Sequence, residues 1–217
     1  MSFCYTHKAE HRITSDPSAA TLHEVERNHA VIAPFISSSR RNPKIYPSKE
    51  DFNFIKGFGD TDFITISPAS VWETKKTPLS KWAELVGKYS IKKVYLLGGP
   101  SDISICEELK SQVESTSIEI LAGKLSLLQS AALMSKAKMN FVNDSGPLHL
   151  CSAMNAPVTA VFCSTIPSFG FTPLSDNAKV VEVSEKLNCR PCGLHGHKTC
   201  PQGHFKCGND LNVDLML

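Results

Sequence analysis

From Phe63 onward the chain repeats one pattern: a short apolar run, a polar turn, then an amphipathic stretch. The runs are Phe63 to Ser67 (FITIS), Lys93 to Leu97 (KVYLL), Ile118 to Leu121, Met139 to Val142 and Val158 to Phe162. Helical spacing fills the intervals. One such segment is opened by Ser80 and carries Trp82, Leu85 and Val86; another runs from Ile103 to Val113. A third is capped by Ser126 and reaches Ser135, and a fourth runs from Ser145 to Met154. Strands that are apolar on both faces need cover on both faces, and helices joined to them by short loops supply it. The pattern therefore predicts an α/β fold over residues 60–185, a Rossmann-like parallel sheet of at least five strands with helices on both faces.

Residues 1–59 are less regular. His23 to Ile36 has the apolar spacing of a helix, and Ser37 to Lys49 is polar and proline-bearing, like a linker. Residues 186–217 form a cysteine-rich tail. With 41% hydrophobic and 20% charged residues, the composition is that of a packed domain rather than a disordered chain. A net charge of +2 gives no reason to expect a nucleic-acid partner, and it would not repel an anionic ligand or membrane surface. The N-terminus lacks the apolar core of a signal peptide and no stretch is apolar enough to span a bilayer, so a cytoplasmic protein is expected.

Open parallel sheets bind ligands in the crevice outside the carboxyl ends of their strands. That rule selects five loops: 68–78, 98–102, 122–125, 143–149 and 163–172. The segment Asn-Asp-Ser-Gly-Pro-Leu-His, 143–149, turns a strand into a helix. A helix start has unpartnered N–H groups and partial positive charge, so it suits phosphate; Asp144, Ser145 and Gly146 would equally form a plain N-cap. Ser145 and His149, four residues apart, share a helix face. In the first loop Ser70 offers a hydroxyl, and Lys75 can act as a point charge on phosphate or form part of a solvated lysine pair with Lys76. Gly98-Gly99 reads as a turn, and Ser101 or Asp102 could bond a ribose hydroxyl or cap the next helix. Neither G-x-G-x-x-G nor a Walker A sequence is present, which argues against ordinary dinucleotide and P-loop sites.

Of eight cysteines, Cys106, Cys151 and Cys163 stand in apolar surroundings and read as small buried hydrophobes, while Cys4 stands apart near the N-terminus. Cys189, Cys192, Cys200 and Cys207 cluster with His195, His197 and His204. Four thiols are enough for a structural zinc, although only the first pair has zinc-ribbon spacing; structural thiols or an oxidation-dependent pair are the alternatives. A cytosolic setting disfavours stable disulfides.

Four segments taken together resemble the C-terminal half of glycosyltransferase family 9, the ADP-heptose:lipopolysaccharide heptosyltransferases, and most of all the type II enzymes. They are SPASVWETKKTP (67–78), LLGGPSD (96–102), LAGKLS (121–126) and NDSGPLH (143–149). His-Glu-Val-Glu-Arg-Asn, 23–28, is similar to the family's hinge helix, and the likeness runs from about residue 3 to 210. The resemblance implies the C-terminal half of a GT-B fold, with residues 1–59 a remnant of the acceptor domain plus hinge and linker. It implies a nucleotide sugar such as ADP-heptose as donor and lipopolysaccharide core as acceptor, the latter held by the missing domain. By the same likeness Lys75 contacts the donor phosphates, Asp144 lies near the sugar, and Ser145, Gly146 and His149 cradle phosphate. Leu125 would pack near adenine, Asp102 would approach the ribose, and Ser70 would belong to the donor loop. No cofactor is required on this reading. The family's general base lies in the missing domain, so no catalytic base is expected here and the chain alone is expected to be inactive. The likeness also admits peripheral association with the cytosolic face of the inner membrane. Two other readings fit parts of the sequence: a sugar-nucleotide epimerase of GT-B type, and a non-catalytic interaction module with a zinc-binding tail.

Overall fold

The computed structural model describes residues 8–14, 21–37, 39, 41–58, 62–89, 93–113 and 117–217. Cys4 and the expected domain boundary at 59/60 lie outside the described residues. The sheet strands are β1 (Phe63–Ser67), β2 (Lys93–Leu96), β3 (Ser117–Ile120), β4 (Met139–Asn143), β5 (Val158–Phe162) and β6 (Ala178–Glu182). They lie in the order β3-β2-β1-β4-β5-β6 and every neighbouring pair is parallel. This is the doubly wound order in which the chain direction reverses between β1 and β4, and that reversal opens a crevice between their carboxyl ends.

Side-chain alternation along the strands divides the core into two layers. Ile64 and Ile66 of β1, Val94 and Leu96 of β2 and Phe141 of β4 face one layer with α3 (Leu79–Lys88) and α4 (Ile103–Ser111). Phe63, Tyr95, Val142, Ala160 and Phe162 face the other with α5 (Leu127–Met134) and α6 (Gly146–Met154). Trp82, Leu85 and Val86 of α3 are buried, as their spacing predicts. Ser126 caps α5 through a reciprocal capping box with Gln129. Ser80 does not cap α3; Pro78 occupies that position, its fixed φ suiting a helix entry, and Ser80 lies in the first turn.

Several features lie beyond the sequence pattern. The polar stretch 37–49 leads into a short helix, α2 (Lys49–Phe54), with a capping box between Ser48 and Asp51. β6 is an edge strand whose first three residues are exposed. The cysteine-rich tail is no loose appendage: Cys207, on α7 (Lys206–Asn209), together with Leu211, Val213 and Met216, is buried in the first core layer. The helix expected over 23–36 is α1 (Glu24–Ile32), followed by a turn of 3-10 helix at Ala33–Phe35. It docks through Arg27, only 1% exposed, whose guanidinium donates to Glu24 Oε2 at 2.8 Å, to the Phe169 carbonyl at 2.8 Å and to the Leu22 carbonyl. On its far side Val31, Ile32 and Ile36 are exposed among the described residues.

Candidate nucleotide-sugar site

The two strands flanking the reversal point end in the two charges that matter most. The loop after β1 carries Lys75, and Asp144 directly follows β4. Lys75 Nζ lies 2.7 Å from Asp144 Oδ2, with side chains 15% and 8% exposed. Thr165, fully buried after β5, donates its hydroxyl to the same carboxylate oxygen at 2.7 Å. One carboxylate thus fixes a lysine from the neighbouring loop while being held from behind.

Asn143 sets the position of that loop. Its Oδ1 accepts from the Thr77 N–H at 2.9 Å and the Thr77 hydroxyl at 2.8 Å, and its Nδ2 donates to the Pro68 carbonyl at 2.8 Å. Both ends of the 68–77 loop are therefore tied to the residue beside Asp144. Asn143 is fully buried, so these bonds are retained because losing them would strand polar atoms away from water.

The start of α6 is open toward solvent. Ser145 stands at the N-cap, but its hydroxyl leans back to the Asn143 carbonyl at 3.3 Å and makes no side-chain cap. Pro147 has no N–H, and the Leu148 N–H goes to the Ser145 carbonyl at 3.1 Å. Gly146 is exposed, with no atom within 4 Å of where a Cβ would stand. Neither packing nor backbone demands a glycine there, whereas close approach by a ligand would. His149 lies one turn on, its ring 6.5 Å from that of Phe171 in an edge-to-face arrangement. The residue keeps an exposed surface, yet partial desolvation of the ring lowers its pKa from the usual 6.5; Asp144 opposes that shift, and His23 and Lys75 add to it. The imidazole is therefore neutral near pH 7.

Of the other expected site residues, Asp102 uses Oδ2 to accept from the Gly99 N–H at 2.8 Å, capping its own turn. Ser70 is half-buried at the entrance of the lysine loop. Leu125 is half-buried against the second core layer. The structure brings Lys75 and Asp144 into contact, with Ser145, Gly146 and His149 alongside at the α6 start. Asp102 and Leu125 stand farther along the same sheet edge, in the loops after β2 and β3. Sequence alone does not single out Thr165, Asn143 or Thr74. A buried asparagine closing the run Met-Asn-Phe-Val-Asn is the available signal for Asn143.

Of the four tail cysteines expected as metal ligands, Cys189, Cys192 and Cys200 are half-buried and Cys207 is buried. Cys189 Sγ stands 3.9 Å from His204 Nε2, Cys192 Sγ points to the Cys189 carbonyl at 3.2 Å, and Cys207 is buried. Burial, reinforced by Cys192, pushes the Cys207 thiol up to about 11. Among the described residues, no three His, Cys, Asp or Glu side chains converge closely enough to hold a metal ion. No described helix is long and apolar enough to cross a membrane.

Comparison with known proteins agrees with this geometry. Residues 8–204 match the model of glycosyltransferase family 9 (heptosyltransferase). The chain is 27% identical over 157 residues to lipooligosaccharide heptosyltransferase 2 of Campylobacter jejuni serotype O:2, covering 69% of this chain and 46% of that protein. It thus spans about half the length of that relative. Among solved structures, ADP-heptose LPS heptosyltransferase II of E. coli superposes with a TM-score of 0.67 at 22% identity, over 91% of this chain and 62% of the other. A glycosyltransferase family 9 protein of Veillonella parvula gives 0.65 at 24% identity, over 78% and 50%. With a parallel sheet whose reversal point presents a lysine, a carboxylate and an open helix start, and a family match over nearly its whole length, the chain belongs to glycosyltransferase family 9, the heptosyltransferase family.

Proposed function

We propose that this chain is the C-terminal, donor-binding half of a glycosyltransferase that moves a heptose or related sugar from an ADP-sugar to lipopolysaccharide core. The observation that carries the reading is the Lys75–Asp144 pair beside the uncapped start of α6, at the reversal point of the sheet. Breaking the bond from sugar to diphosphate leaves negative charge on the phosphate. A lysine and a helix start already fixed in place stabilise that charge without reorganising. Neutral His149 offers a ring N–H on the same helix face. Asp144, anchored by Thr165, takes the position nearest the sugar, with Leu125 and Asp102 on the nucleoside side.

Transfer also requires a base within hydrogen-bond reach of the acceptor hydroxyl. Asp144 is engaged by Lys75 and Thr165, and Asp102 caps its own turn. On this reading the base and the acceptor wall would belong to a second domain, and the exposed apolar side of α1 around Val31 and Ile32 is where that domain would pack. Such an enzyme works at the cytosolic face of the inner membrane, where its acceptor is presented.

Calorimetric titration of residues 1–217 with ADP, and a radiolabelled-donor assay on heptose-deficient core, test the reading. ADP should bind, weakly, and no product should form. Absence of ADP binding would overturn donor recognition, and turnover of about 1 per second or more would place the base within this chain.

A further inference from the structure

The cysteine-rich tail crosses the lysine loop at one point. The Thr74 N–H donates to the His197 carbonyl at 3.1 Å, and the His197 N–H donates to Thr74 Oγ1 at 2.8 Å. Thr74 also bonds to the end of β5: its hydroxyl donates to Ser164 Oγ at 3.0 Å, and its carbonyl accepts from the Ser164 N–H at 3.3 Å. The Ser164 carbonyl in turn accepts from the Cys192 N–H at 2.9 Å. Two segments of the tail thus lace the lysine loop to the strand end. Arg190 fastens the same strand end, donating to the carbonyls of Cys163 and Thr165, each at 2.7 Å.

The residues immediately after Thr74 and Ser164 are Lys75 and Thr165, the two that bind Asp144. The backbone lacing therefore sits one residue from the ion pair on both segments. At the crossing stands Gly196, φ +80°; a Cβ there would come within 2.8 Å of Ser164 Oγ, 2.8 Å of Thr74 Oγ1 and 3.3 Å of Lys75 Cγ. Beyond the crossing the tail lifts away. A cavity of about 600 Å³ separates Lys198, Thr199 and Cys200 from Glu73 and Thr77.

We infer that Gly196 and His197 are positioning residues for Lys75, so that the tail, through Thr74, sets where the donor-phosphate lysine stands. The inference about placement needs only this contact; the effect on donor affinity rests also on the function proposed above. The test compares Gly196→Ala and Thr74→Val with Gly193→Ala. Gly193 shares the left-handed backbone, φ +68°, but no atom lies within 4 Å of where its Cβ would stand. It reproduces the backbone strain without the contact.

Two readouts separate the possibilities. Lys75 acetylation, followed by quantitative mass spectrometry, reports placement without any ligand. It should rise about tenfold in Gly196→Ala and Thr74→Val, the scale of one lost charge-assisted bond, and stay unchanged in Gly193→Ala. ADP affinity should fall about tenfold in the same two variants, and Gly196→Ala should cost nothing further when added to Lys75→Met. A tail that only stabilises the fold would leave acetylation of Lys75 unchanged in folded variants, or move it equally in Gly193→Ala, and either result overturns the inference. Thr74→Val removes the acceptor without adding bulk, so misfolding of Gly196→Ala does not block the test. If acetylation responds but unaltered protein does not bind ADP, the positioning stands and the donor reading fails.

Discussion

Replacing Lys75 with methionine separates stability from binding at this site. Its ammonium lies 2.7 Å from Asp144 Oδ2, where Coulomb attraction at an effective dielectric of about 20 is worth about 6 kcal/mol. Desolvation of two mostly buried charges cancels much of that gain. What the single variant feels is an uncompensated carboxylate, and breaking a fully buried pair costs about 3–5 kcal/mol. With 15% and 8% exposure left to the two side chains, about 2–3 kcal/mol is expected, a fall in Tm of about 4–12 °C for a chain of this size. Adding Asp144→Asn removes the second charge and keeps an acceptor for the Thr165 hydroxyl. The double variant should therefore regain most of the lost stability, because two neutral groups leave no buried charge. ADP affinity should not return: both Lys75 variants lose one charge-assisted contact, about tenfold to a hundredfold in Kd. Urea unfolding and calorimetry of the wild type, the two single variants and the double variant check this. A double variant as unstable as Lys75→Met would refute the pairing argument, and wild-type affinity in Lys75→Met would remove the lysine from the phosphate site.

His149 should make the fold acid-sensitive. Its folded pKa lies below the ordinary 6.5, so the unfolded chain takes up the proton first. Its contribution is full above about 6.5 and is lost as pH falls below that value, so His149→Gln should flatten the stability curve on the acid side of about pH 6.5 in urea titrations; matching slopes would refute this. Arg27→Met leaves the Phe169 and Leu22 carbonyls without their donor and should cost about 3 kcal/mol or more, with hydrogen exchange rising across α1. Exchange in α1 that stays at the wild-type rate would show that the helix docks by other means. Burial pushes the thiols of Cys106, Cys151 and Cys163 up to about 12, so iodoacetamide at pH 8 should leave them unmodified in the native protein while half-buried Cys189 and Cys200 react first. Mass spectrometry that finds Cys163 labelled early would mean that the tail opens far more readily than its packing implies.

The central sheet is legible in the sequence because strands buried on both faces leave short, mostly apolar and β-branched runs such as Phe63 to Ser67. β6 is harder to read because it is an edge strand with Ala178, Lys179 and Val180 exposed, so solvent imposes no apolar run on it. α2 carries its signal in Ser48 and Asp51, but it is only six residues long and the prolines at 43 and 47 precede it. At the site, Lys75 and Asp144 could be named because both follow strands at the edge where ligands bind. Their mutual bond joins residues far apart in sequence, and only the strand order reveals that β1 and β4 are neighbours. The tail has a second role that its composition does not announce. Its cysteines suggest ligand chemistry, whereas in the fold Cys207 packs in the core and the contacts to the lysine loop come from Gly196 and His197.

Adjacent residues do different work at the end of β4, and this explains how a surface loop carries a well-placed charge. Asn143 holds the ends of the 68–77 loop through Pro68 and Thr77, and Asp144 holds its lysine. The tail adds a third tie at Thr74. A flexible lysine would lose side-chain entropy on meeting phosphate, at a cost of up to about 2 kcal/mol. Here that ordering has already occurred on folding, with Asp144 as the partner that phosphate replaces or shares. On the function proposed above, donor binding would then exchange one anion for another around an ammonium that hardly moves. On this account Asp144→Asn, by loosening Lys75, should leave ADP affinity no better than wild type although it removes a negative charge from the phosphate site. An affinity gain in that single variant would show that repulsion by Asp144 outweighs the placement it provides.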